Sequence, residues 1–271
     1  MTDKEFKNAY KILKKMGRID LAVDKMKNKP FEEVIKILSL SKWKNPKYSK
    51  LLTSNIWRSD YDNINDILDM KEWEDPKFYN LLTSGIWASS YYDVKRILSM
   101  SEWNNPRYQK LLTPNIWRNN YNSIKKILSM KEWDDPKFKG LLTSSIWNYS
   151  YKTITKVLHL SYWDNPTYIH LLTPTIFTIP VDNIIEGIRL FEENNVEEFI
   201  TTKHLRINTS VLKNLIEYFN NNNINLLIQK DGGPGYPGCK LHPIFSCPTT
   251  QLKGKYNIEL NEVGKVKKIE L

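Results

Sequence analysis

Lysine and arginine side chains recur at a fixed spacing along this chain of 271 residues. Adjacent basic residues occupy positions 95–96 and 125–126, thirty positions apart, and a single Lys follows another thirty positions later. Two Arg residues, sixty positions apart, each follow a Trp. Ammonium and guanidinium groups neutralise phosphates, so a ladder of them along one face could hold a polyanion such as DNA or RNA. The residues predicted to bind nucleic acid are therefore Arg58, Lys95, Arg96, Arg118, Lys125, Lys126 and Lys156.

The distribution of charge along the chain agrees with this interpretation but does not require it. Forty Lys and Arg residues against thirty Asp and Glu residues give a net charge of +10. Residues 41–160 carry nineteen basic and twelve acidic side chains, whereas residues 161–220 carry four and eight. The alternative is that these side chains are only solvated, because exposed helix faces are usually charged and a net charge of this size is common.

Signatures of enzymes are missing from the sequence. It has no phosphate-binding glycine loop between a strand and a helix, no Gly-x-Ser-x-Gly and no His-Glu-x-x-His. Cys239, His242 and Cys247 could supply three metal ligands, but zinc prefers four, so two free thiols are the expected state. We expect neither catalysis nor a cofactor. An enzyme with its site in the Gly- and Pro-rich tail is the third of the functions considered.

A membrane span and a targeting segment are not expected. No stretch approaches the roughly 18–20 consecutive apolar residues that a spanning helix needs. Residues 1–5 are charged and no apolar segment follows them, unlike a signal peptide. The low cysteine content, two residues, suits a reducing compartment. These features predict a cytoplasmic protein without a membrane partner.

The chain is a tandem repeat with a period of thirty residues. Leu-Leu-Thr occurs five times at that spacing, and all nine Trp residues fall into two columns of the same register. One column is Trp43, Trp73, Trp103, Trp133 and Trp163; the other is Trp57, Trp87, Trp117 and Trp147, with Phe177 in the fifth place. Five complete repeats are predicted over residues 41–190, with degenerate capping repeats at 1–40 and 191–228 and a Gly- and Pro-rich tail at 229–271. Because large aromatic residues at fixed register are typical of packing between repeats, the Trp columns predict a core and not an aromatic cage.

Each repeat has the sequence features of helices. Asn or Asp followed by Pro predicts the start of a first helix, and Thr followed by Ser or Pro predicts a restart, a short turn around Ile-Trp. A third capping position, at Asp60, Ser90, Asn120 and Ser150, precedes the longest helix. Strand alternation is absent from the repeats. The predicted fold is an all-α solenoid, a superhelix of two-helix repeats whose handedness stays open.

The segment Thr113–Trp117, followed by Ile124, Ile127 and Leu128, shows the pattern of the repeat best, and Thr173–Phe177 shows it next. In this pattern the repeat resembles that of the mitochondrial transcription termination factor (mTERF) family. Three repeats have Ser where that family has Pro. The resemblance implies a superhelix that binds nucleic acid in a basic groove, although the pattern is structural and transfers no individual binding residue. A solenoid that binds a protein or peptide is the alternative function.

Overall fold

A computed structural model of the chain describes residues 1–194, 200–221, 257–260 and 266–270. The chain forms two compact units. The N-terminal unit comprises Met1–Trp133 and Leu142–Tyr151, and the C-terminal unit comprises Asp134–Leu141 and the residues from Lys152 onwards. Helical segments make up the regular structure of both units as far as residue 221.

Every repeat contains one α-helix of at least eight residues, here called its long helix. These helices are α3 (Phe31–Leu38), α5 (Tyr61–Leu68), α6 (Tyr91–Leu98), α8 (Tyr121–Leu128), α9 (Tyr151–Leu158) and α10 (Val181–Glu193). Their buried residues recur at spacings of three and four, as in Ile64, Ile67 and Leu68, because one stripe of each helix faces the core. Within the N-terminal unit, α5, α6 and α8 pack against one another in chain order.

From α5 onwards, three short segments precede each long helix, so the prediction of two helices per repeat is too simple. The first 3₁₀ turn holds the first Trp column, and its bounds are Ser41–Lys44, Lys71–Glu74, Ser101–Asn104, Lys131–Asp134 and Ser161–Asp164. The proline segment follows; it is α-helical in α4 (Pro46–Ser49) and α7 (Pro106–Gln109) and 3₁₀ in Pro76–Leu81, Pro136–Leu141 and Pro166–Leu171. The second 3₁₀ turn, Ser54–Arg58, Ser84–Ala88, Pro114–Arg118, Ser144–Asn148 and Pro174–Thr178, is the predicted turn around Ile-Trp.

Side-chain caps explain where these segments begin. The Asn45 side chain accepts a hydrogen bond from Lys47 N, and Pro46 stands at the first helical position, where a missing N–H has no cost. Asp60, Ser90 and Asn120 each accept from the backbone N–H three residues on and start a long helix. The capping positions predicted from the sequence are confirmed there.

The two Trp columns are buried, except for the half-buried Trp43, and make two different hydrogen bonds. In the first column each indole N–H donates to the carbonyl six residues earlier, at the end of the preceding long helix, over 2.5–2.6 Å. In the second column the N–H donates over 2.6–2.8 Å to a Leu carbonyl 36 residues earlier, in the preceding repeat. Trp103 is 0% exposed and Trp117 is 4% exposed, so the predicted packing role of these columns is confirmed.

The repeat frame continues into the N-terminal cap region. Trp57 Nε1 donates to Leu21 O, as Trp87 Nε1 does to Leu51 O, so Leu21 occupies the same position in its repeat as Leu51. Helix α1 (Asp3–Lys15) precedes Leu21, which ends a 3₁₀ turn (Ile19–Leu21), and helix α2 (Asp24–Lys27) follows it. Helix α1 is closed by Gly17 at φ 68°, the left-handed conformation that glycine adopts without strain.

The C-terminal unit departs from the predicted boundaries. Helix α10 runs to Glu193, because Leu190 and Phe191 extend its buried stripe, and the predicted boundary between 190 and 191 falls inside it. A 3₁₀ turn (His204–Arg206) packs on α10 at Gly187, and α11 (Thr209–Asn221) follows. Two antiparallel strands, β1 (Asn257–Leu260) and β2 (Val266–Glu270), lie in the tail that the all-α prediction covered. The sequence of β1 alternates polar and apolar residues with the period of a strand, whereas that of β2 does not.

Candidate nucleic-acid interface

The seven predicted binding residues are all exposed, but they occupy three different places. Lys95 and Arg96 lie in the last turns of α6, and Lys125 and Lys126 lie at the equivalent positions of α8. The remaining residues lie apart from these four along the chain. Arg58 and Arg118 are each the last residue of the second 3₁₀ turn of their repeat, and Lys156 lies on α9 in the C-terminal unit.

Tyrosine rings connect the four basic residues of α6 and α8. Arg96 Cζ lies 3.8 Å from the centroid of the Tyr121 ring, and Lys125 Nζ lies 5.9 Å from the same centroid. Lys126 Nζ lies 5.8 Å from the centroid of Tyr151. Each of these distances is within the range of an attractive cation–π contact. Arg96 and Lys126 therefore each contact the first residue of the next long helix.

A second tyrosine pair lies at the start of α6. Lys95 Nζ is 5.5 Å from the Tyr91 centroid and 3.3 Å from the Tyr91 hydroxyl. This hydrogen bond raises the pKa of Lys95, which keeps its charge. The Tyr92 ring meets the Tyr91 ring edge-on, with centroids 5.5 Å apart. We call these eight residues the basic tyrosine surface: Tyr91, Tyr92, Lys95, Arg96, Tyr121, Lys125, Lys126 and Tyr151.

Backbone contacts between neighbouring long helices hold the surface together. The Tyr121 N–H donates to Asp93 Oδ1 of α6 over 3.3 Å, which ties the start of α8 to the preceding helix. The equivalent bond runs from the Tyr91 N–H to Asn63 Oδ1 of α5. The tyrosines therefore have fixed positions relative to the preceding helix, from which Arg96 reaches Tyr121.

The four basic residues of the surface form no salt bridge with a carboxylate in the described part of the chain. Most other cations that contact a tyrosine or phenylalanine ring belong to the proline segments, where carboxylates or carbonyls hold them. Lys77 pairs with Asp75 over 3.1 Å, and Lys137 pairs with Asp164 of the following repeat over 3.0 Å. The Lys47 ammonium donates to the Trp73 carbonyl of the following repeat. Lys47, Lys77 and Lys137 are thus engaged within the protein. The four cations of the basic tyrosine surface are not paired in this way, although the charge of Glu72 acts on Lys95 beyond salt-bridge distance.

The two arginines of the second 3₁₀ turns behave differently from each other. The Arg118 guanidinium donates to Asn148 Oδ1, at the equivalent position of the next repeat, over 2.5 Å. Arg58 is exposed, and Ala88 takes the equivalent position of the repeat that follows it. The two arginines thus lie two repeats apart at the turns, and neither contacts the tyrosines in the described residues.

The sequence interpretation missed the tyrosines of this surface. The first position of the long helix is aromatic in five successive repeats, at Phe31, Tyr61, Tyr91, Tyr121 and Tyr151, and its helical spacing from the apolar residues is typical of the core face. The signal in the sequence that indicates this contact is a separation of 25 residues between a basic residue and the tyrosine that begins the next long helix, as for Arg96 and Tyr121. It recurs for Lys36 and Tyr61, whose Nζ-to-centroid distance is 5.9 Å.

His204 is buried and lies outside this surface, and its burial indicates that the stability of the protein depends on pH. Burial lowers the pKa of His204 to about 4, and repulsion from Lys203 adds to the effect. The Thr201 N–H donates to His204 Nδ1 over 3.0 Å, which requires that nitrogen to carry no proton. Unfolding restores the ordinary pKa near 6.5, so below that pH the unfolded chain binds the proton more readily.

We expect the stabilising effect of neutral His204 to be complete above pH 6.5 and to be lost as the pH falls towards 4. The loss at this residue amounts to about 3 kcal/mol of unfolding free energy. Urea unfolding at pH 7 and pH 4 should show it as a difference between the wild type and His204→Gln, whose amide oxygen can still accept from Thr201. The same pH dependence in both proteins would contradict the assignment.

Comparisons with known proteins do not extend this picture. No family model, no curated protein and no solved structure matches the chain. Among the described residues there is no group of three or more His, Cys, Asp and Glu side chains that could hold a metal ion. Cys239, His242 and Cys247 lie outside those residues. No helix in the described ranges is long and apolar enough to cross a membrane, and the cytoplasmic location stays a prediction.

Proposed function

We propose that the protein binds nucleic acid through the basic tyrosine surface, without catalysis. The observation that carries the proposal is that four adjacent cations of α6 and α8 contact tyrosine rings and form no salt bridge within the described residues. Cations held in place without a carboxylate partner are suited to neutralising phosphates, whose counterions are then released.

The contact between Arg96 and Tyr121 suits this role in particular. At 3.8 Å from the centroid the guanidinium carbon is in van der Waals contact with the ring, a distance at which arginine stacks its planar face on an aromatic ring. The N–H donors lie in the guanidinium plane and point outwards from its edges, where a phosphate oxygen or a base can accept. The tyrosine thereby fixes the direction of the arginine without occupying its donors.

The solenoid arrangement belongs to the same proposal. It is supported in the N-terminal unit by the hydrogen bonds between second-column Trp residues and the preceding repeat, and by the packing of successive long helices. In a solenoid, equivalent side chains repeat along one face and can follow a phosphate backbone. Nucleic-acid binding is also what the mTERF resemblance implies, and membership of that family stays a proposal.

The test is titration of fluorescently labelled DNA and RNA at several salt concentrations. We expect Lys125→Ala combined with Lys126→Ala to weaken binding of all sequences and to flatten the log–log salt slope by up to about two contacts. Two contacts correspond to a loss of about tenfold in affinity near 0.15 M salt. Arg118→Ala, in the second 3₁₀ turn of its repeat, should alter preference between sequences if that column contacts bases.

A matched control removes the same charge from cations that are already paired. Lys42, which contacts Asp69, and Lys77, which pairs with Asp75, serve for this purpose. The double variant Lys42→Ala, Lys77→Ala should bind with a nearly unchanged slope. If the wild type shows no salt-dependent association with DNA or RNA, the proposal fails, and a protein or peptide partner becomes the better explanation of the repeats.

A further inference from the structure

Tyr92 is an exception in its column of the repeat. The second position of the long helix is Glu32, Asp62, Asn122, Lys152 and Asp182 in the other repeats, all of them polar. Only the repeat of α6 has an aromatic residue there, and its side chain is 76% exposed. A side chain this exposed contributes little to the core, so packing does not account for the tyrosine.

The surroundings of Tyr92 are those of a stacking platform. One edge-on contact with Tyr91 supports the ring, and most of its surface faces solvent. Lys95 lies one turn further along α6 and is itself in contact with Tyr91. An exposed aromatic face beside unpaired cations is the combination with which proteins bind single strands, since bases stack on the ring while phosphates meet the cations.

Acidic residues border the basic tyrosine surface on the side of α5. Asp62 occupies the position equivalent to Tyr92, and Asp66 occupies the position equivalent to Arg96. Carboxylates therefore replace the aromatic platform and the arginine in the preceding repeat, which packs directly on α6, and Asn65 replaces Lys95. A bound phosphate backbone is repelled there and confined to α6 and α8 within the N-terminal unit.

We infer that the ligand of the basic tyrosine surface is a single-stranded nucleic acid, one base of which stacks on Tyr92. The inference rests on the proposed function and narrows it to one class of substrate. In a duplex the bases are paired and stacked on one another, so their faces are not offered to a side chain on the protein surface. The four cations neutralise up to four phosphates, which gives a salt slope of about −3 on a single strand.

The experiment measures fluorescence anisotropy of the full chain with a labelled twelve-nucleotide single strand, as DNA and as RNA, and with a twelve-base-pair DNA duplex. We expect the wild type to prefer the single strands. Tyr92→Leu keeps an apolar side chain but removes the ring, and should weaken single-strand binding about tenfold or more. Because no charge is removed, the salt slope should be unchanged, and Tyr92→Phe should bind like the wild type.

Tyr79 provides the matched control. It is 47% exposed, lies in a proline segment outside the basic tyrosine surface, and contacts Lys47. Tyr79→Leu should leave single-strand binding unchanged. Wild-type affinity in Tyr92→Leu, an equal loss in Tyr79→Leu, or a wild-type preference for the duplex would overturn the inference while leaving nucleic-acid binding in place. An absence of binding to all three probes would instead remove the proposed function itself.

Discussion

Replacement of Trp117 by alanine is expected to lower the free energy of unfolding by about 3–5 kcal/mol, the usual range for a buried aromatic side chain. The indole is 4% exposed, and its N–H donates to the Leu81 carbonyl of the preceding repeat over 2.6 Å. It also lies close to the Gly85 backbone, where an added Cβ would meet Trp117 Cδ1 at 3.7 Å. The variant therefore leaves a cavity between two repeats and an unpaired carbonyl.

Urea unfolding followed by far-ultraviolet circular dichroism measures this effect without using tryptophan as the probe. Trp117→Phe separates the two contributions, since phenylalanine already occupies the equivalent position at Phe177. We expect it to retain most of the packing and to cost about 1–2 kcal/mol for the lost hydrogen bond. Arg118→Ala, one residue away and exposed, should change stability little. An unchanged midpoint in Trp117→Ala would contradict the packing role of the column.

Deletion of residues 101–130 is expected to give a folded chain that is one repeat shorter. The new junction joins Met100 to Lys131 and restores the Met-Lys-Glu-Trp sequence found at 70–73. In the shortened chain the Trp133 indole N–H can donate to the Ile97 carbonyl in place of the Ile127 carbonyl. The Trp147 indole N–H can likewise donate to the Leu81 carbonyl in place of the Leu111 carbonyl, because donors and acceptors repeat with the same period. Far-ultraviolet circular dichroism should keep its helical form, with a cooperative melt.

The same deletion removes half of the cations of the basic tyrosine surface. Arg96 would contact Tyr151 in place of Tyr121, while Lys125 and Lys126 would be lost. Nucleic-acid binding should therefore weaken, with a salt slope lower by up to about two contacts. Deletion of residues 101–115, half a period, is the control and should not fold, since it puts every later Trp out of register. Loss of helical signal in the full-repeat deletion would show that contacts beyond the neighbouring repeats are needed.

The period, the capping residues and the buried Trp columns were predictable from the sequence because each requires particular residue types at a fixed position of the repeat. Asp60 and Ser90 differ in type but share the chemistry of a capping oxygen, and a Trp repeated every thirty residues has few roles other than packing. The division of each repeat into four segments was not predictable in the same way. A 3₁₀ turn and the first turn of an α-helix begin with the same capping residues. Tertiary packing then determines whether the segment stays a short 3₁₀ turn or extends as an α-helix.

The candidate surface was predictable only in part, for a related reason. The sequence marked Lys95, Arg96, Lys125 and Lys126 as a ladder of basic residues, but it could not show which basic residues are paired within the protein. Lys137 is basic too, and its partner Asp164 lies 27 residues away. The tyrosines looked like core positions because they keep the helical spacing, whereas their rings lie at the edge of the core against cations of the preceding repeat.

The hydrogen bonds of the second Trp column also bear on how the chain folds while it is being synthesised. Each bond joins a donor to an acceptor 36 residues earlier, so the acceptor always leaves the ribosome first. Leu51 is in place before Trp87 emerges, and Leu81 is in place before Trp117. Contacts of such short range close quickly and need no distant part of the chain. Each repeat of the N-terminal unit can therefore dock on its predecessor as soon as its own Trp emerges, and a nascent chain exposes little more than one unfinished repeat at a time.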